Sequence, residues 1–376
     1  MNESKIIEYL DSLESKGIPS VDMMVMQDHE LVFRHINGHV DENRTVPVNS
    51  HQRYLMFSMT KVQTMTALMQ LVEQGKVSLE DEVGKYLPAY KNLKVKNSNG
   101  SIKDAVNPLL IKHLVSMQSG LDYNLERAGI VRVLKEKGRN ATTRELVDSF
   151  VETPIDFEPG THFNYSLSHD VVAAIIEVVS GMSFGEYLSK NIWTPLNMNN
   201  TFFAKPTNED VDMLADQFIV NGNNKTVKMD KSCCYQLSDA YESGGAGLIS
   251  CTEDYMKFGD TLACGGISAE GARILKPETI EIIKTNLLGP DSLSDLAKNM
   301  GRVAYGYGVG MQIFMFPEKV GSSTHTGIFG WDGAAGSCIQ MDTRTKTSFV
   351  FTMHVRNCGY SYETVHPTLR DLVFGN

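Results

Sequence analysis

Both ends of the chain carry pairs of short apolar runs, whereas helical periodicity is confined to the part between them. Residues 21–26 and 31–36 flank one polar turn, and residues 337–341 and 348–355 flank another. Such pairs are typical of β-hairpins. The segment 62–72 instead repeats its apolar residues at helical spacing. Because regular βαβ alternation is missing, we expect an α+β fold: an antiparallel sheet from both chain ends, flanked by helices, with a mostly helical insertion.

The length of the chain is compatible with one large folded unit. It has 376 residues, of which 42% are hydrophobic, and this is enough to bury a sizeable core. The strand-like and helical runs divide it into an α/β subdomain, residues 1–80 plus 240–376, and a mainly helical insertion, residues 81–239. We predict that both parts form a single catalytic unit over residues 1–376.

The charge and the cysteine content limit the possible binding partners and cellular compartments of the protein. The formal net charge is −10, so nucleic acids and anionic membranes would be repelled on average, and we expect neither as a partner. Residues 1–10 lack the apolar region of a secretory signal, and no stretch approaches the ~18 apolar residues of a membrane span. The six cysteines contain no C-x-x-C, and only Cys233 and Cys234 are adjacent. Reduced thiols and a cytoplasmic location are therefore predicted, with the oligomeric state left open.

One candidate nucleophile lies in the S-x-x-K sequence from Ser58 to Lys61, at the start of the helix predicted to end near Gly75. Residues three apart share a helix face, so Lys61 would lie beside the Ser58 hydroxyl. The N–H groups at a helix N-terminus favour a developing oxyanion. The apolar residues before Ser58 would lower the lysine pKa and let it assist as a base. The spacing alone is equally consistent with an N-cap serine followed by a surface lysine.

A second candidate is the G-x-S-x-G sequence of residues 181–185. A nucleophile elbow needs a strand before its serine, but residues 170–180 have helical periodicity. We predict instead that Gly181 ends that helix and that Ser183 and Glu186 form a capping box for the next one. A zinc hydrolase is disfavoured because the 10 histidines include no H-E-x-x-H, so no metal is predicted.

Other motifs accompany Ser58 in a characteristic order. They are residues 111–121, the turn-and-helix sequence 159–168, and residues 192–198, 244–250, 305–310 and 325–327. In this order they make the chain resemble the superfamily of serine β-lactamases and penicillin-binding proteins. Within it, the likeness is greatest to the branch of class C β-lactamases, D-amino-acid peptidases and family VIII carboxylesterases. It extends from about residue 21 to residue 355 and implies the β-lactamase/transpeptidase-like fold.

The resemblance implies a role for each residue that matches a motif. Ser58 would be acylated, Lys61 would be its hydrogen-bonded partner, and Tyr165 would move the proton, either as a phenolate or by relaying to Lys61. In the third motif, His325 and Gly327 would contact substrate, and the N–H of Ile328 would complete the oxyanion hole with that of Ser58. Without the motif context, Tyr165 could equally be a core tyrosine, and His325 a strand histidine that touches no substrate.

Two departures from the family pattern bear on the substrate. The second motif reads Tyr165-Ser166-Leu167 where the family usually has Tyr-x-Asn, and the third begins with His325 where Lys is common. Leucine cannot hydrogen-bond a substrate amide, and histidine is largely neutral at pH 7. The resemblance therefore implies a preference for esters without a carboxylate, or for small amides.

These observations predict a serine hydrolase that uses neither metal nor organic cofactor. The first expectation is a carboxylesterase acting through an acyl-enzyme on Ser58, with a small-molecule ester or amide as substrate. A D-aminopeptidase, a DD-peptidase or a weak β-lactamase is the alternative within the enzymes. A non-catalytic, ligand-sensing protein with the same fold is the alternative outside them.

Overall fold

The computed structural model describes residues 1–96, 99–203, 214–230 and 235–375. Its helices are α1 (Glu3–Ser12), α2 (Thr60–Glu73), α3 (Ile111–Val115), α4 (Ala128–Lys137), α5 (Thr143–Ser149), α6 (Ser168–Ser180), α7 (Phe184–Leu188), α8 (Thr252–Ala263), α9 (Pro277–Ile283), α10 (Pro290–Met300) and α11 (His366–Phe374). Its strands are β1 (Ser20–Gln27), β2 (Glu30–Gly38), β3 (Tyr54–Leu55), β4 (Lys94–Lys96), β5 (Ile102–Asp104), β6 (Phe202–Phe203), β7 (Gln217–Val220), β8 (Thr226–Met229), β9 (Leu248–Ser250), β10 (Tyr305–Tyr307), β11 (Gln312–Phe314), β12 (Phe329–Asp332), β13 (Cys338–Asp342), β14 (Thr347–Thr352) and β15 (Val355–Arg356). Cys233 and Cys234 lie outside the described residues.

A seven-stranded antiparallel sheet joins the two ends of the chain, in the order β10-β11-β12-β13-β14-β1-β2. β1 lies between its hairpin partner β2 and the C-terminal strand β14, with Asp22 paired to Thr352 and Gln27 to Thr347. The β1–β2 turn uses two left-handed residues, Asp28 (φ 48°) and His29 (φ 71°), as a two-residue hairpin turn requires. The predicted α+β fold with an antiparallel sheet from both chain ends is confirmed.

Alternation along the strands divides the core between the two faces of the sheet. Met24 and Val350 belong to a main apolar cluster with α2, α6 and α8. Their neighbours Val25 and Phe349 belong to a second cluster with α1 and α11. Because helices cover both faces, β14 is buried along its whole length and β1 along all but its last two residues.

The strand predicted over residues 348–355 is interrupted in the structure. β14 ends at Thr352, and β15 begins at Val355 in a separate three-stranded sheet, where it pairs in parallel with β7. At the break, Met353 N–H donates to Ser337 Oγ (3.2 Å), and the His354 ring lies 3.2 Å from the Ala215 carbonyl oxygen. These bonds to other segments replace the ladder and redirect the strand.

Helices dominate the segment predicted as an insertion, since α3 to α7 lie between residues 81 and 239. The segment also supplies short strands: β4 pairs with β5, β6 extends the β3–β9 pair, and β7 and β8 join β15. The subdomain boundaries at residues 80/81 and 239/240 stay a prediction.

The G-x-S-x-G sequence joins two helices, as predicted. Gly181 ends α6 in the left-handed conformation (φ 71°). Ser183 Oγ accepts from the Glu186 N–H (3.2 Å), and the Glu186 carboxylate accepts from the Ser183 N–H (2.9 Å), which confirms the capping box. No helix in the described ranges is long and apolar enough by itself to cross a membrane. α6 and the helical stretch 184–193 meet that length and composition only as a pair, bent by 75°.

Candidate active site

Ser58 lies where a short strand turns into a helix. β3 pairs with β9, and the 3₁₀ turn Phe57–Met59 then leads directly into α2. Phe57 has φ 47°, an unfavourable value for a residue with a side chain, and its ring is fully buried. Between residues 54 and 71, Ser58 alone keeps partial exposure. The turn therefore presents one hydroxyl to solvent at the N-terminal end of a buried helix.

Lys61 is fully buried beneath Ser58. Its Nζ donates to Ser58 Oγ (3.2 Å), to the Tyr123 hydroxyl (3.1 Å) and to the Gly245 carbonyl oxygen (2.7 Å). Burial lowers the pKa of Lys61 to about 7, although the carboxylates of Asp170 and Asp332 act in the opposite direction. At neutral pH a large fraction of Lys61 is therefore uncharged and able to accept the Ser58 proton.

Tyr165 approaches Ser58 from the other side. Its hydroxyl hydrogen-bonds with Ser58 and accepts from the Trp331 indole N–H (3.1 Å). Lys61 Nζ lies 4.7 Å from the centre of the Tyr165 ring. Burial raises the pKa of Tyr165 above its ordinary value, and the hydrogen bonds with Ser58 and Trp331 only partly oppose this. Tyr165 thus keeps its proton near neutral pH, which suits a proton donor better than a phenolate base.

Aromatic rings enclose the Ser58–Lys61 pair. Tyr123 stacks on Tyr165, with ring centres 5.5 Å apart, and meets Tyr235 edge-on at 5.4 Å. Trp331 lies 5.6 Å from Tyr165 on its far side. These contacts fix the ring orientations and keep water away from Lys61, in keeping with its lowered pKa.

A buried carboxylate fixes the loop that binds Lys61. Asp170 accepts hydrogen bonds from the Tyr241 hydroxyl (2.7 Å), the Ser243 hydroxyl (2.6 Å) and the Gly245 N–H (3.3 Å). A Cβ on Gly245 would lie 2.7 Å from the Asp170 carboxylate and 3.3 Å from Lys61 Nζ. Only glycine fits here, which is a physical reason for the glycine-rich sequence of residues 244–247.

The end of β12 forms the opposite wall. A Cβ on Gly333 would lie 2.4 Å from the Met56 carbonyl oxygen, so the chain after β12 runs against the turn that carries Ser58. Trp331 and Ala334 line the same cavity as Ser58. Asp332, at the end of β12, forms a buried ion pair with Arg302. The pairing with Arg302 compensates for the burial of this carboxylate.

The resulting cavity has a volume of about 770 Å³ and opens to solvent. Ser58, Tyr123, Tyr165 and Tyr235 line one part of it, and the segment 299–305 with residues of α11 and the turn before it lines another. The volume is that of a small-molecule site.

The structure brings together three of the predicted site residues, Ser58, Lys61 and Tyr165. It does not bring His325, Gly327 or Ile328 to them. The His325 ring lies 3.3 Å from the Asp342 carboxylate, Gly327 N–H donates to the Phe314 carbonyl oxygen (2.9 Å), and Ile328 packs in the cluster with α1 and α11. These three residues precede β12, whereas its far end, about 13 Å along the strand, faces Ser58.

Leu167, which was expected to alter substrate contacts, is buried in the main apolar cluster and does not line the cavity.

Sequence reasoning missed several residues that the structure places at the site. Tyr123 follows the motif residues 118–121 by two positions, and Trp331, Asp332 and Gly333 form a second glycine-ending tripeptide six residues after His325-Thr326-Gly327. Both signals were available in the sequence. Arg302 and Tyr235 carry no local pattern that would single them out.

Comparison with known proteins identifies the family. The sequence model described as Beta-lactamase matches residues 4–358. The chain therefore belongs to the beta-lactamase family, and the resemblance inferred from the motifs is confirmed. The Ser58–Lys61 site within this fold makes it a serine hydrolase.

Individual relatives are distant. The chain is 25% identical to Protein Rv1367c of Mycobacterium tuberculosis, over 91% of this chain and 86% of that protein. It is 25% identical to Esterase EstB of Burkholderia gladioli, over 86% and 83%. Among solved structures, EstCE1, a hydrolase with promiscuous acyltransferase activity, superposes with a TM-score of 0.80 at 22% identity, covering 99% of this chain and 98% of that one.

Proposed function

We propose that this protein is a carboxylesterase that cleaves short-chain esters, or small amides, through an acyl-enzyme on Ser58. The observation that carries the proposal is the 3.2 Å contact between Ser58 Oγ and a fully buried Lys61 whose pKa is about 7. A lysine in that state is a base at neutral pH, and Ser58 is the partly exposed aliphatic hydroxyl that it contacts at the cavity.

The first half-reaction transfers the acyl group to the protein. Neutral Lys61 takes the Ser58 proton as Oγ attacks the ester carbonyl. We assign the oxyanion site to the N–H groups of Ser58 and Ala334, because both residues line the cavity and Ala334 follows Gly333 at the contact with residue 56. Tyr165 donates its proton to the leaving alkoxide, and the proton on Lys61 restores the tyrosine.

The second half-reaction uses water. Lys61, neutral again once its proton has passed to Tyr165 and the leaving group, deprotonates a water molecule that attacks the acyl carbonyl. The Ser58–acyl bond then breaks, Ser58 recovers its proton, and the carboxylic acid leaves. Ser58 is in hydrogen-bonding contact with both Lys61 and Tyr165, so the three groups that exchange protons form one cluster.

Acyl transfer to an alcohol is a second candidate. The cavity is open and aromatic-walled, so an alcohol could stack beside Ser58 and attack in place of water. EstCE1, which has the same fold, is described as having such promiscuous activity. Formation of a new ester when an alcohol is added to the assay would support this candidate.

Hydrolysis of p-nitrophenyl butyrate and of nitrocefin, by the wild type and by Ser58→Ala, tests the proposal. We expect ester turnover in the wild type that falls at least a thousandfold in Ser58→Ala, with little nitrocefin cleavage. Nitrocefin turnover at or above the ester rate would assign the protein to the lactamase or peptidase alternative. Full activity in Ser58→Ala would refute the nucleophile, and ligand binding without any turnover would favour a non-catalytic protein.

A further inference from the structure

A fixed cation lies in the wall of the catalytic cavity. Arg302 lines the cavity together with Ser58, although its side chain is only 8% exposed. Its guanidinium is surrounded by the rings of Tyr305, Trp331 and Tyr362, each with its centre about 6 Å from Cζ. The rings and the ion pair with Asp332 hold the guanidinium in one place.

The guanidinium is only partly satisfied by this environment. Nη2 donates to Asp332, Nε is enclosed without a partner among the described residues, and Nη1 makes no hydrogen bond to the described part of the chain. Arginine presents its donors in a planar fork that suits a carboxylate. Arg302 therefore has N–H groups at the edge of the cavity that can still donate hydrogen bonds to a ligand.

A second cation also lies beside Asp332. Asp332 is shared by two buried cations, because His366 Nδ1 lies 3.7 Å from the same carboxylate oxygen that pairs with Arg302. Burial works against the charge on His366, but Cys338 and Asp332 outweigh it and raise the pKa of His366 to about 10. Asp332 thus divides its negative charge between Arg302 and His366 and is not dedicated to Arg302.

Among the described residues, the other charged groups at the cavity do not pair with Arg302. Arg370 also lines the cavity, but it is paired with Asp371 and donates to the Tyr305 hydroxyl (2.7 Å). Glu363 is exposed at the edge of the cavity, where solvent screens it. A buried guanidinium with unused donors in the wall of the catalytic cavity therefore favours an anionic ligand.

We propose that the substrate of Ser58 carries a carboxylate, separate from the bond that is cleaved, and that Arg302 binds it. The inference rests on the proposed function. It replaces the preference for uncharged substrates that the third motif implied, because the cation comes from the segment between α10 and β10 and not from that motif. A carboxylate matches the single charge of the guanidinium and its planar donors.

The relative positions of Arg302 and Ser58 suit a small substrate. Trp331 lies between the two in contact terms: its ring centre is 5.6 Å from that of Tyr165, which contacts Ser58, and 5.9 Å from the Arg302 Cζ. A substrate that packs along Trp331, with its scissile carbonyl at Ser58 and its carboxylate at Arg302, fits this arrangement. The flat wall of Tyr165 and Trp331 would pack against the connecting part.

Matched ester pairs that differ only in charge test the proposal. One pair is 3-acetoxybenzoate and its methyl ester, with the charge on the leaving group; the other is monoethyl adipate and diethyl adipate, with the charge on the acyl group. We expect the wild type to prefer the anionic member of at least one pair at least tenfold in kcat/KM, after correction for uncatalysed hydrolysis. In Arg302→Gln that ratio should fall at least tenfold, mainly through KM, and in Arg302→Lys it should fall less.

Arg344→Gln is the matched control, since it removes an exposed positive charge from a turn distant from the cavity lining and should leave the ratio unchanged. If Arg302→Gln does not fold, the wild type alone decides, by its inhibition with 3-carboxyphenylboronic acid and the methyl ester of that compound. Equal inhibition and equal turnover of both members of each pair would overturn the carboxylate site while Ser58-dependent turnover still supports the esterase. Absence of any Ser58-dependent turnover would instead refute the proposed function.

Discussion

At the scale of single residues, Lys61 decides how the nucleophile is activated. Two mechanisms are compatible with the motif: Lys61 as the base, or Lys61 as a cation that creates a Tyr165 phenolate. The contact of Nζ with Ser58 Oγ, the lowered pKa of Lys61 and the raised pKa of Tyr165 all favour the first. The two mechanisms predict different activities for a variant in which residue 61 keeps its positive charge at every pH.

Lys61→Arg is expected to abolish ester hydrolysis, by at least a thousandfold, because arginine stays protonated at any practical pH. If Lys61 served only as a cation, the arginine variant would keep a substantial part of the activity. Steady-state hydrolysis of p-nitrophenyl butyrate measures the difference, and circular dichroism checks that the variant is folded.

The pH dependence of the wild type gives an independent measure of the same group. Only neutral Lys61 can accept the Ser58 proton, so kcat/KM should rise as pH increases through about 7 and then level off. A profile that instead rises near pH 10 would indicate an unshifted lysine or a tyrosine as the base.

At the scale of elements, the site depends on how closely β12 approaches the turn before α2. Gly333→Ala would place a Cβ 2.4 Å from the Met56 carbonyl oxygen, a backbone atom that cannot move without displacing Ser58. We expect a loss of about 1–3 kcal/mol in the free energy of unfolding and at least a hundredfold loss of activity. Gly222→Ala, where a Cβ meets no atom within 4 Å, is the control and should change neither.

Most helices and strands could be predicted from the sequence, but which end of a strand lies beside Ser58 could not. Periodicity located α2, α6, the β1–β2 hairpin and the sheet from both chain ends, because burial patterns are local in sequence. The i, i+3 spacing likewise placed Lys61 beside Ser58. The third motif was assigned to residues 325–327, whereas residues 331–333, the other glycine-ending tripeptide at the same strand, lie against the turn that carries Ser58. Only the sheet register determines which end of β12 faces Ser58.

Arg302 is a cavity residue that the sequence did not predict. Its role follows from a cavity that combines the segment before β10 with β12 and α11, and no single stretch of sequence encodes that combination. The same holds for Tyr123, which contacts Lys61 and Tyr165, and for Tyr235, whose ring packs edge-on against Tyr123 from a separate loop.

At the scale of the whole molecule, the predicted single catalytic unit can be tested with the two tryptophans. Trp193 lies in the predicted insertion and Trp331 in the predicted α/β subdomain. In Trp331→Phe only Trp193 reports unfolding, and in Trp193→Phe only Trp331 does. We expect each fluorescence transition in urea to coincide with the far-UV circular dichroism transition of the same variant, because the main apolar cluster includes side chains from both parts.

A fluorescence midpoint that separates from the circular dichroism midpoint in either variant would show that the insertion unfolds independently. The comparison is made within each variant, so a change in overall stability caused by the substitution does not affect the conclusion.

The pairing of β1 with β14 also has a consequence for biosynthesis. The hydrogen bond between Thr352 and Asp22 joins residues 330 positions apart. At a translation rate of roughly 5–20 residues per second, the ribosome needs on the order of 15–65 s to deliver that partner. Throughout this interval the nascent chain carries the buried strand β1 with one edge unpaired, a surface on which chaperones can act. Ser58 likewise emerges 273 residues before Trp331, so hydrolytic activity should appear only after the strand that carries Trp331 has been synthesised.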